Sequence, residues 1–344
     1  MIHLLHCADL HLDSPFSGLT PEQAAGRRRL QRQLPLKIVE LSNRLHCDLI
    51  LCSGDVFDGE RVCPETLEAL RSAFTRSEAP IFVAPGNHDP YGERLPWAKV
   101  SWPEQVHLFR GQQQSVMLPE LGCRVWGAAF TAQDCYDELS PVGESNLIEL
   151  GVFHGDPQNQ STYRYLSKAC IEASGLDYLA LGHIHKTAMP YQVGKTWVGW
   201  PGVAMGRGFD ETGIHGVFEV WVDKETCEAK LLPMGGPRYE QLQIPAGKEF
   251  TLPADTKDWI CRLTITGESE PLDLASYEQQ LAPRFYALEL RDETVPPLDL
   301  WADCGQDTLR GKALELLRRE EDSQLAALAA RYMLAALEGR EEPC

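Results

Sequence analysis

The sequence contains no long hydrophobic run. None of its apolar stretches approaches the roughly 20 consecutive residues that a membrane-spanning helix needs. The first residues, MIHLLHCAD, lack the basic segment with which a signal peptide begins, and two histidines interrupt their apolar run. We therefore expect a cytoplasmic protein that does not bind membranes.

Closely spaced cysteine pairs are also missing. The 11 cysteines are scattered from Cys7 to Cys344, and no two of them form a C-x-x-C motif. An odd number of scattered cysteines disfavours both a disulfide framework and a thiolate zinc site. We expect free thiols in a reducing compartment.

Positive charge is scarce. The chain has 32 lysines and arginines against 50 aspartates and glutamates, a formal net charge of −18 at pH 7. Because nucleic-acid binding depends on neutralising phosphates, a DNA-binding function would need a local basic surface or bound cations. Arg27, Arg28 and Arg29, with Arg32 and Lys37, are a candidate for such a surface, although most charge runs are solvated helix faces.

The first two hundred residues alternate short apolar runs with amphipathic stretches, which predicts strands separated by helices in an α/β layered core. From residue 189 to 234, strands divided by Gly-rich turns predict a mainly antiparallel second sheet that packs on the first. Strands are predicted at 2–8, 49–53, 81–84, 124–128, 150–153 and 178–181, and helices at 21–46 with an interruption at Pro35, at 64–76 and at 166–174.

The chain is longer than the roughly 250–300 residues at which a single hydrophobic core stops growing. A change in composition near Pro237 predicts a large domain at 1–238 and a small β-α-β accessory domain at 239–303. The remainder, 304–344, is rich in Leu, Ala, Glu and Arg, and its segment 307–338 predicts a helical tail.

Five short motifs each follow the end of a predicted strand. In open α/β sheets, ligands bind in the crevice outside the carboxyl ends of the strands, so all five motifs are expected to meet there. Residues two apart in an extended segment point to the same side, and D-x-H or H-x-H can therefore offer two ligand atoms. The motifs are Asp9-Leu10-His11, Gly54-Asp55-Val56-Phe57-Asp58, Gly86-Asn87-His88-Asp89, Phe153-His154-Gly155 and Gly182-His183-Ile184-His185.

These motifs predict a dinuclear metal site. Seven ligands are too many for one ion but suit two ions, provided that Asp55 bridges them. Oxygen and imidazole ligands without thiolate favour Mn²⁺, Fe or Zn²⁺, and four imidazoles argue against Mg²⁺ alone. The candidate ligands are Asp9, His11, Asp55, Asn87, His154, His183 and His185.

The predicted charge of the site indicates its chemistry. Two divalent ions outweigh the carboxylates of Asp9 and Asp55, which implies an anionic substrate. Two ions about 3.5–4 Å apart can activate a bridging water and hold the oxygens of a phosphorus centre, so the site predicts phosphoester hydrolysis. His88 is the candidate proton donor, a role typically worth about 10²–10⁴-fold in rate, and Asp89 is expected to orient it.

The order of these motifs resembles that of the calcineurin-like metallophosphoesterase family, over about the first two hundred residues. The resemblance implies a two-sheet αββα sandwich, here with a small α+β accessory domain and a helical C-terminal tail. It also implies how the ligands divide between the ions. One ion would take Asp9, His11, Asp55 and His185, and the other Asp55, Asn87, His154 and His183.

Within that family, the segments Asp9-Leu10-His11-Leu12-Asp13 and Gly182-His183-Ile184-His185-Lys186 are similar to the DNA repair exonuclease branch, which includes SbcD and YhaO-type proteins. The loop after the last ligand, with Trp200-Pro201-Gly202, also resembles this branch, and Arg207 within it is a candidate substrate-binding residue. The resemblance implies a Mn²⁺-dependent nuclease that acts on DNA, an SbcC-like coiled-coil ATPase as partner, and a homodimer.

Two alternatives remain open at this stage. A phosphodiesterase or phosphatase for small nucleotides would share every ligand and differ only in its substrate groove. A non-catalytic scaffold would hold structural metals and would use its tail to recruit an ATPase. The identity of the two ions is also open, with Mn²⁺ expected and Fe, Zn or Mg as alternatives. The presence of His88 beside a full ligand set argues against the scaffold.

Overall fold

The computed structural model describes residues 1–158, 162–297, 299–337 and 339. The chain divides into two compact units. The first comprises residues 1–241, 253–262 and 281–289, and the second comprises residues 242–252, 263–280 and 290–344. The predicted domain boundaries at 238 and 303 remain predictions.

Fifteen strands and seven α-helices are found among the described residues. The strands are β1 (Ile2–Cys7), β2 (Leu49–Cys52), β3 (Ile81–Val83), β4 (Val106–Leu108), β5 (Gln114–Leu118), β6 (Cys123–Gly127), β7 (Ile148–His154), β8 (Tyr178–Gly182), β9 (Ala188–Val193), β10 (Thr196–Trp200), β11 (Gly216–Val222), β12 (Cys227–Pro233), β13 (Arg238–Pro245), β14 (Trp259–Glu268) and β15 (Ala287–Val295). The helices are α1 (Pro21–Arg32), α2 (Leu34–Leu45), α3 (Pro64–Thr75), α4 (Lys168–Ala173), α5 (Leu274–Leu281), α6 (Leu309–Leu317) and α7 (Ser323–Leu337).

Two six-stranded sheets form the first unit. The first sheet has the order β12-β11-β1-β2-β3-β4, and the second has the order β5-β6-β7-β8-β10-β9. In the first sheet β1 to β4 are parallel, and in the second β6, β7, β8 and β10 are parallel. The predicted α/β class with two sheets and helices is confirmed, as are helices near the C-terminus.

The predicted antiparallel sheet over residues 189–234 is wrong. Its strands divide between the two sheets: β9 and β10 extend the second sheet, whereas β11 and β12 pair antiparallel at the edge of β1 in the first. Burial gives the reason. Six of the seven residues of β11 are buried, so this strand needs neighbours on both sides and a layer on each face.

Three apolar clusters pack the sheets and helices of the first unit against one another. The inner faces of the two sheets meet in one cluster, in which Leu4 and Leu51 of the first sheet join Val152 and Ala180 of the second. A second cluster packs α2 and α3 on the outer face of the first sheet, and a third packs α4 on the outer face of the second. The helices therefore lie outside and the sheets inside, as expected for an αββα sandwich.

The long helical pattern at 21–46 divides into two helices, close to the predicted interruption at Pro35. Gln33 ends α1, and Pro35 lies in the first turn of α2, where a missing N–H costs nothing. Thr20 begins α1 with a capping box completed by Gln23.

The basic segment of α1 is in part structural. Arg27 is completely buried and donates hydrogen bonds to the carbonyl oxygens of Pro237 (2.5 Å) and Gly206 (2.6 Å). Arg32 pairs with Asp13 at 3.0 Å. Two of the arginines considered for a DNA surface are therefore occupied within the fold.

Beyond the two large sheets, β13, β14 and β15 form a three-stranded sheet, and α5 follows β14 as the pattern of the accessory segment predicts. The predicted tail helix is interrupted at residues 318–322, and its Glu338 and residues 340–344 lie outside the described residues. Leu314 of α6 and Leu334 of α7 are buried with Leu300 in one small cluster. None of the helices in the part of the chain that is described is long and apolar enough for a bilayer-spanning segment.

His6 joins the two sheets. Its ring is completely buried, with Nδ1 3.0 Å from the hydroxyl of Tyr178 and Nε2 3.1 Å from the carbonyl oxygen of Leu181. Burial lowers the pKa of His6 from 6.5 to about 3, although the bond to Leu181 opposes this shift. The fold therefore needs the neutral imidazole.

We expect His6 to make the protein less stable in acid. Between pH 6.5 and about 3 the unfolded chain binds one more proton at this residue than the folded chain. The free energy of unfolding should fall by up to about 1.4 kcal/mol per pH unit as the pH decreases through that range. Urea denaturation at several pH values should show a shallower dependence for His6→Gln than for the native protein. An unchanged slope, matching that of the control His46→Gln at an exposed helix end, would contradict this assignment.

Candidate metal centre

The five motifs meet at one edge of the sandwich. Asp9 and His11 follow β1, Asp55 follows β2, and Asn87 lies beyond β3. His154 ends β7 of the second sheet, and His183 and His185 follow β8. Backbone hydrogen bonds join the first two loops, from the N–H of Asp9 to Gly54 O (3.0 Å) and from that of His11 to Asp55 O (2.9 Å).

The backbone is strained where the candidate ligands lie. The φ angle is +50° at Asp9, +43° at His11, +48° at Asp55 and +94° at His183. Residues with a Cβ rarely adopt these left-handed conformations, and outliers of this kind cluster at functional sites. A Cβ at Gly86 would collide with the Asp55 carboxylate, so this glycine permits the close approach of two loops.

His11 and His185 point their nitrogens at each other, with Nε2 atoms 3.2 Å apart. Each ring has a carboxylate at its other nitrogen. Nδ1 of His185 lies 2.8 Å from Glu211 Oε1, and Nδ1 of His11 lies 3.2 Å from Asp58 Oδ1, at ion-pair distance but off the direction of a hydrogen bond. Nη2 of Arg207 also lies 3.1 Å from His185 Nδ1. The contacts at the two Nδ1 atoms turn both Nε2 atoms toward the same point.

His154 shows the same arrangement. Its Nδ1 donates to the carbonyl oxygen of Ser53 at 2.9 Å, which turns Nε2 toward the centre of the site. That Nε2 faces two further acceptors, Asn87 Oδ1 at 2.9 Å and Asp55 Oδ2 at 3.4 Å. His183 Nδ1 lies 3.2 Å from the same Asn87 oxygen.

The donor set fits divalent cations. Ligand atoms of Asp9, His11 and His185 lie within 4.8 Å of one another, and so do those of Asp9, Asp55 and His154. Imidazole nitrogens and carboxylate oxygens that converge repel one another unless a proton or a cation lies between them, and a divalent cation would satisfy several of these atoms at once. The structure thus brings all seven predicted ligands together, and their assignment as ligands remains a prediction.

The charged side chains of the site shift one another's pKa. Burial alone would raise the pKa of Asp55, but the neighbouring His154 and His11 outweigh it and hold that pKa below its ordinary value. For His154, burial opposes the charged form, and the Asp55 carboxylate nevertheless raises the pKa to about 9. Burial and the charge of His154 lower the pKa of His183 to about 4.

His88 lies at the exposed rim. Its backbone N–H donates to Asp55 Oδ1 at 2.9 Å, and its Nδ1 lies 3.1 Å from the carbonyl oxygen of Asp58. Its ring meets that of His11 edge-on, with centroids 4.9 Å apart. The side chain is thus beside the candidate ligands and open to a substrate, as its predicted role requires.

The predicted role of Asp89 is wrong. Its carboxylate is buried and faces the backbone: Oδ1 accepts from the N–H groups of Gly86 (2.8 Å) and Asp55 (3.1 Å), and Oδ2 accepts from those of Val56 (2.9 Å) and Phe57 (3.2 Å). The indole N–H of Trp97 also donates to Oδ2 at 3.2 Å, and five donors for two oxygens leave no reason for this side chain to turn to the His88 ring. Asp89 instead fixes the loop that carries Asp55.

Sequence reasoning missed two carboxylates. Asp58 was within a recognised motif but was not assigned a role, and its position three residues after Asp55 was the available signal. Glu211 is 26 residues beyond His185, and nothing in the local pattern indicated that the two touch. Arg207 connects them, with Nη1 2.9 Å from Asp58 Oδ1 and Nη2 2.8 Å from Glu211 Oε1.

A family model for calcineurin-like phosphoesterases matches residues 2–187, which hold all seven candidate ligands. The chain belongs to this family. Members are metal-dependent hydrolases, and the candidate ligand groups agree with that property.

Two curated relatives match more of the chain. The uncharacterized metallophosphoesterase YhaO of Bacillus subtilis is 30% identical over 240 aligned positions, and the match covers 63% of this chain and 57% of that protein. The chain thus spans less than two thirds of the length of that relative. The DNA double-strand break repair protein Mre11 of Methanopyrus kandleri is 23% identical over 367 aligned positions, 92% of this chain and 78% of that protein.

One solved structure with a similar course of the chain is TT1561 of Thermus thermophilus. It is 13% identical with a TM-score of 0.42, and the match covers 67% of this chain and 98% of that one. An archaeal phosphodiesterase is 17% identical with a TM-score of 0.38, covering 67% of this chain and all of that one.

We expect Asp89→Asn to destabilise the metal-free protein. An amide would present N–H groups to backbone donors that now share a carboxylate, and each unsatisfied buried donor costs about 1–3 kcal/mol. Urea denaturation with a chelator present should show a free energy of unfolding lower by about 2–4 kcal/mol. The control Asp210→Asn, at an exposed carboxylate near the site, should change little. Native stability combined with a lower rate would restore the role of Asp89 in orienting His88.

Proposed function

We propose that this protein is a Mn²⁺-dependent phosphodiesterase that cleaves DNA. Family membership supplies the coarser part of this proposal, a metal-dependent hydrolase. The observation that supports it most directly is the set of inward-facing Nε2 atoms of His11, His154 and His185, each with its Nδ1 beside an oxygen. Manganese suits this mixture of imidazole and oxygen ligands, and Fe or Zn would suit it too.

The side chains of the site suit phosphodiester hydrolysis. When bound, two divalent ions supply an activated water and charge stabilisation for the phosphoryl oxygens. Asp55 places a carboxylate oxygen near His11, and Asn87 places its amide oxygen beside His154. The carboxylate of Asp89 holds the loop that carries Asp55. His88, at the rim, is positioned to give a proton or hydrogen bond to the leaving oxygen.

DNA as substrate is supported by the motif flanks and by the name of one of the two relatives. One relative is named for DNA double-strand break repair. The net charge of −18 does not oppose this proposal, because bound cations would give the site a local positive charge.

The test is hydrolysis of linear duplex DNA with Mn²⁺, Fe²⁺, Zn²⁺ or Mg²⁺, with a cyclic nucleotide as the competing substrate. We expect cleavage with Mn²⁺, its loss with a chelator, and a decrease in kcat of about 10²–10⁴-fold in His88→Asn. The same substitution at the exposed His46 should leave the rate unchanged. Turnover of the cyclic nucleotide without cleavage of DNA would favour the alternative of a small-nucleotide phosphodiesterase.

We further propose that α7 docks a coiled-coil ATPase of the SbcC type, as part of a complex built on a homodimer. One face of this helix is buried through Ala326, Ala330 and Leu334. On another face, Leu325, Leu328 and Tyr332 are 50–55% exposed, and spacings of three and four residues place them in one apolar stripe. Such a stripe suits the apolar face of a partner helix.

For this docking we expect Leu328→Glu to weaken binding of the ATPase at least about tenfold, since it places a charge in an apolar contact. Hydrolysis of a small phosphodiester by the isolated protein should not change. Leu316→Glu, the same substitution at an exposed leucine of α6, is the matched control. Equal ATPase affinity for all three proteins, measured by calorimetry, would exclude α7 as the docking site.

A further inference from the structure

One loop carries two side chains that act together behind the candidate metal centre. Arg207 and Glu211 lie in the segment that follows β10, and Glu211 is 6% exposed. Oε2 of Glu211 accepts the backbone N–H of Arg207 at 2.8 Å, and Oε1 accepts its Nη2 at 2.8 Å. The loop is thus closed on itself by one carboxylate.

The guanidinium of Arg207 also reaches out of the loop. Its Nη1 donates to Asp58 Oδ1 at 2.9 Å, and Asp58 in turn lies 3.2 Å from His11 Nδ1. Oε1 of Glu211 lies 2.8 Å from His185 Nδ1, and Nη2 of Arg207 lies 3.1 Å from the same nitrogen. One planar cation therefore connects the two carboxylates that stand behind the two facing histidines.

The loop is held from its other side by α1. The completely buried Arg27 donates to the carbonyl oxygen of Gly206, the residue directly before Arg207, at 2.6 Å. The position of the Arg207 guanidinium is therefore set by the fold on both sides of the residue.

We propose that Arg207 is a positioning residue for the metal, which orients His11 and His185 through Asp58 and Glu211, and that it does not bind substrate. This inference rests on the proposed function, because it assumes that the two histidines hold an ion. Side chains that orient metal-ligating histidines typically contribute about 10–100-fold to metal affinity. Only a planar fork satisfies two carboxylates at once, so lysine is a poor replacement.

The experiment is calorimetric titration of the metal-free protein with Mn²⁺. We expect two binding events in the native protein, and in Arg207→Lys one of them weakened by about 10–100-fold with the other little changed. At saturating Mn²⁺, the KM for a small phosphodiester should stay within about twofold of the native value. Arg29→Lys, at an exposed arginine of α1, is the matched control, and thermal unfolding in chelator reports whether each variant is folded.

Unchanged Mn²⁺ affinity together with a raised KM would show that Arg207 binds substrate and would overturn the inference. Equal weakening of both binding events would overturn it as well. If Arg207→Lys does not fold, Arg207→Gln provides the same test, because an amide likewise cannot satisfy the carboxylates of Asp58 and Glu211 at once. A native protein that binds two Mn²⁺ ions but cleaves no phosphodiester would refute the proposed function and leave the titration to decide the role of Arg207.

Discussion

The organisation of the site depends on imidazole nitrogens and carboxylate oxygens that face one another across a small space. His11, His154 and His185 each place Nδ1 beside an oxygen atom, so each turns Nε2 inward. Atoms of this kind repel one another unless a proton or a cation lies between them. The rest of the fold holds the imidazoles in this arrangement, which is what preorganisation for a divalent ion requires.

The backbone of several candidate ligands is also strained. Asp9, His11 and Asp55 adopt left-handed conformations that only a well-supported loop can maintain. Asp89 provides that support for Asp55, since its carboxylate accepts four backbone N–H groups around the loop. Ligand geometry in this protein is thus determined as much by a buried carboxylate outside the donor set as by the donors themselves.

Much of this arrangement follows from the sequence. Parallel strands place their carboxyl ends on one edge, so residues as distant as Asp9 and His185 were correctly expected to meet. The strand contacts of residues 189–234 could not be derived, because an apolar run does not specify which sheet edge it joins. The direction of the Asp89 side chain could not be derived either, because a motif gives the residue and not its rotamer. The contact of Glu211 with His185 could not be derived, because it forms only when a loop distant in sequence folds against the site.

The candidate ligands come from both sheets. Asp9, His11, Asp55 and Asn87 belong to loops of the first sheet, whereas His154, His183 and His185 belong to the second. Ions held by both sets would bridge the sandwich at its open end, while His6 links its interior. If ions bind only when the two sheets are correctly aligned, metal occupancy and the free energy of unfolding would be linked quantities, and the cellular supply of metal would also govern how long the folded chain survives.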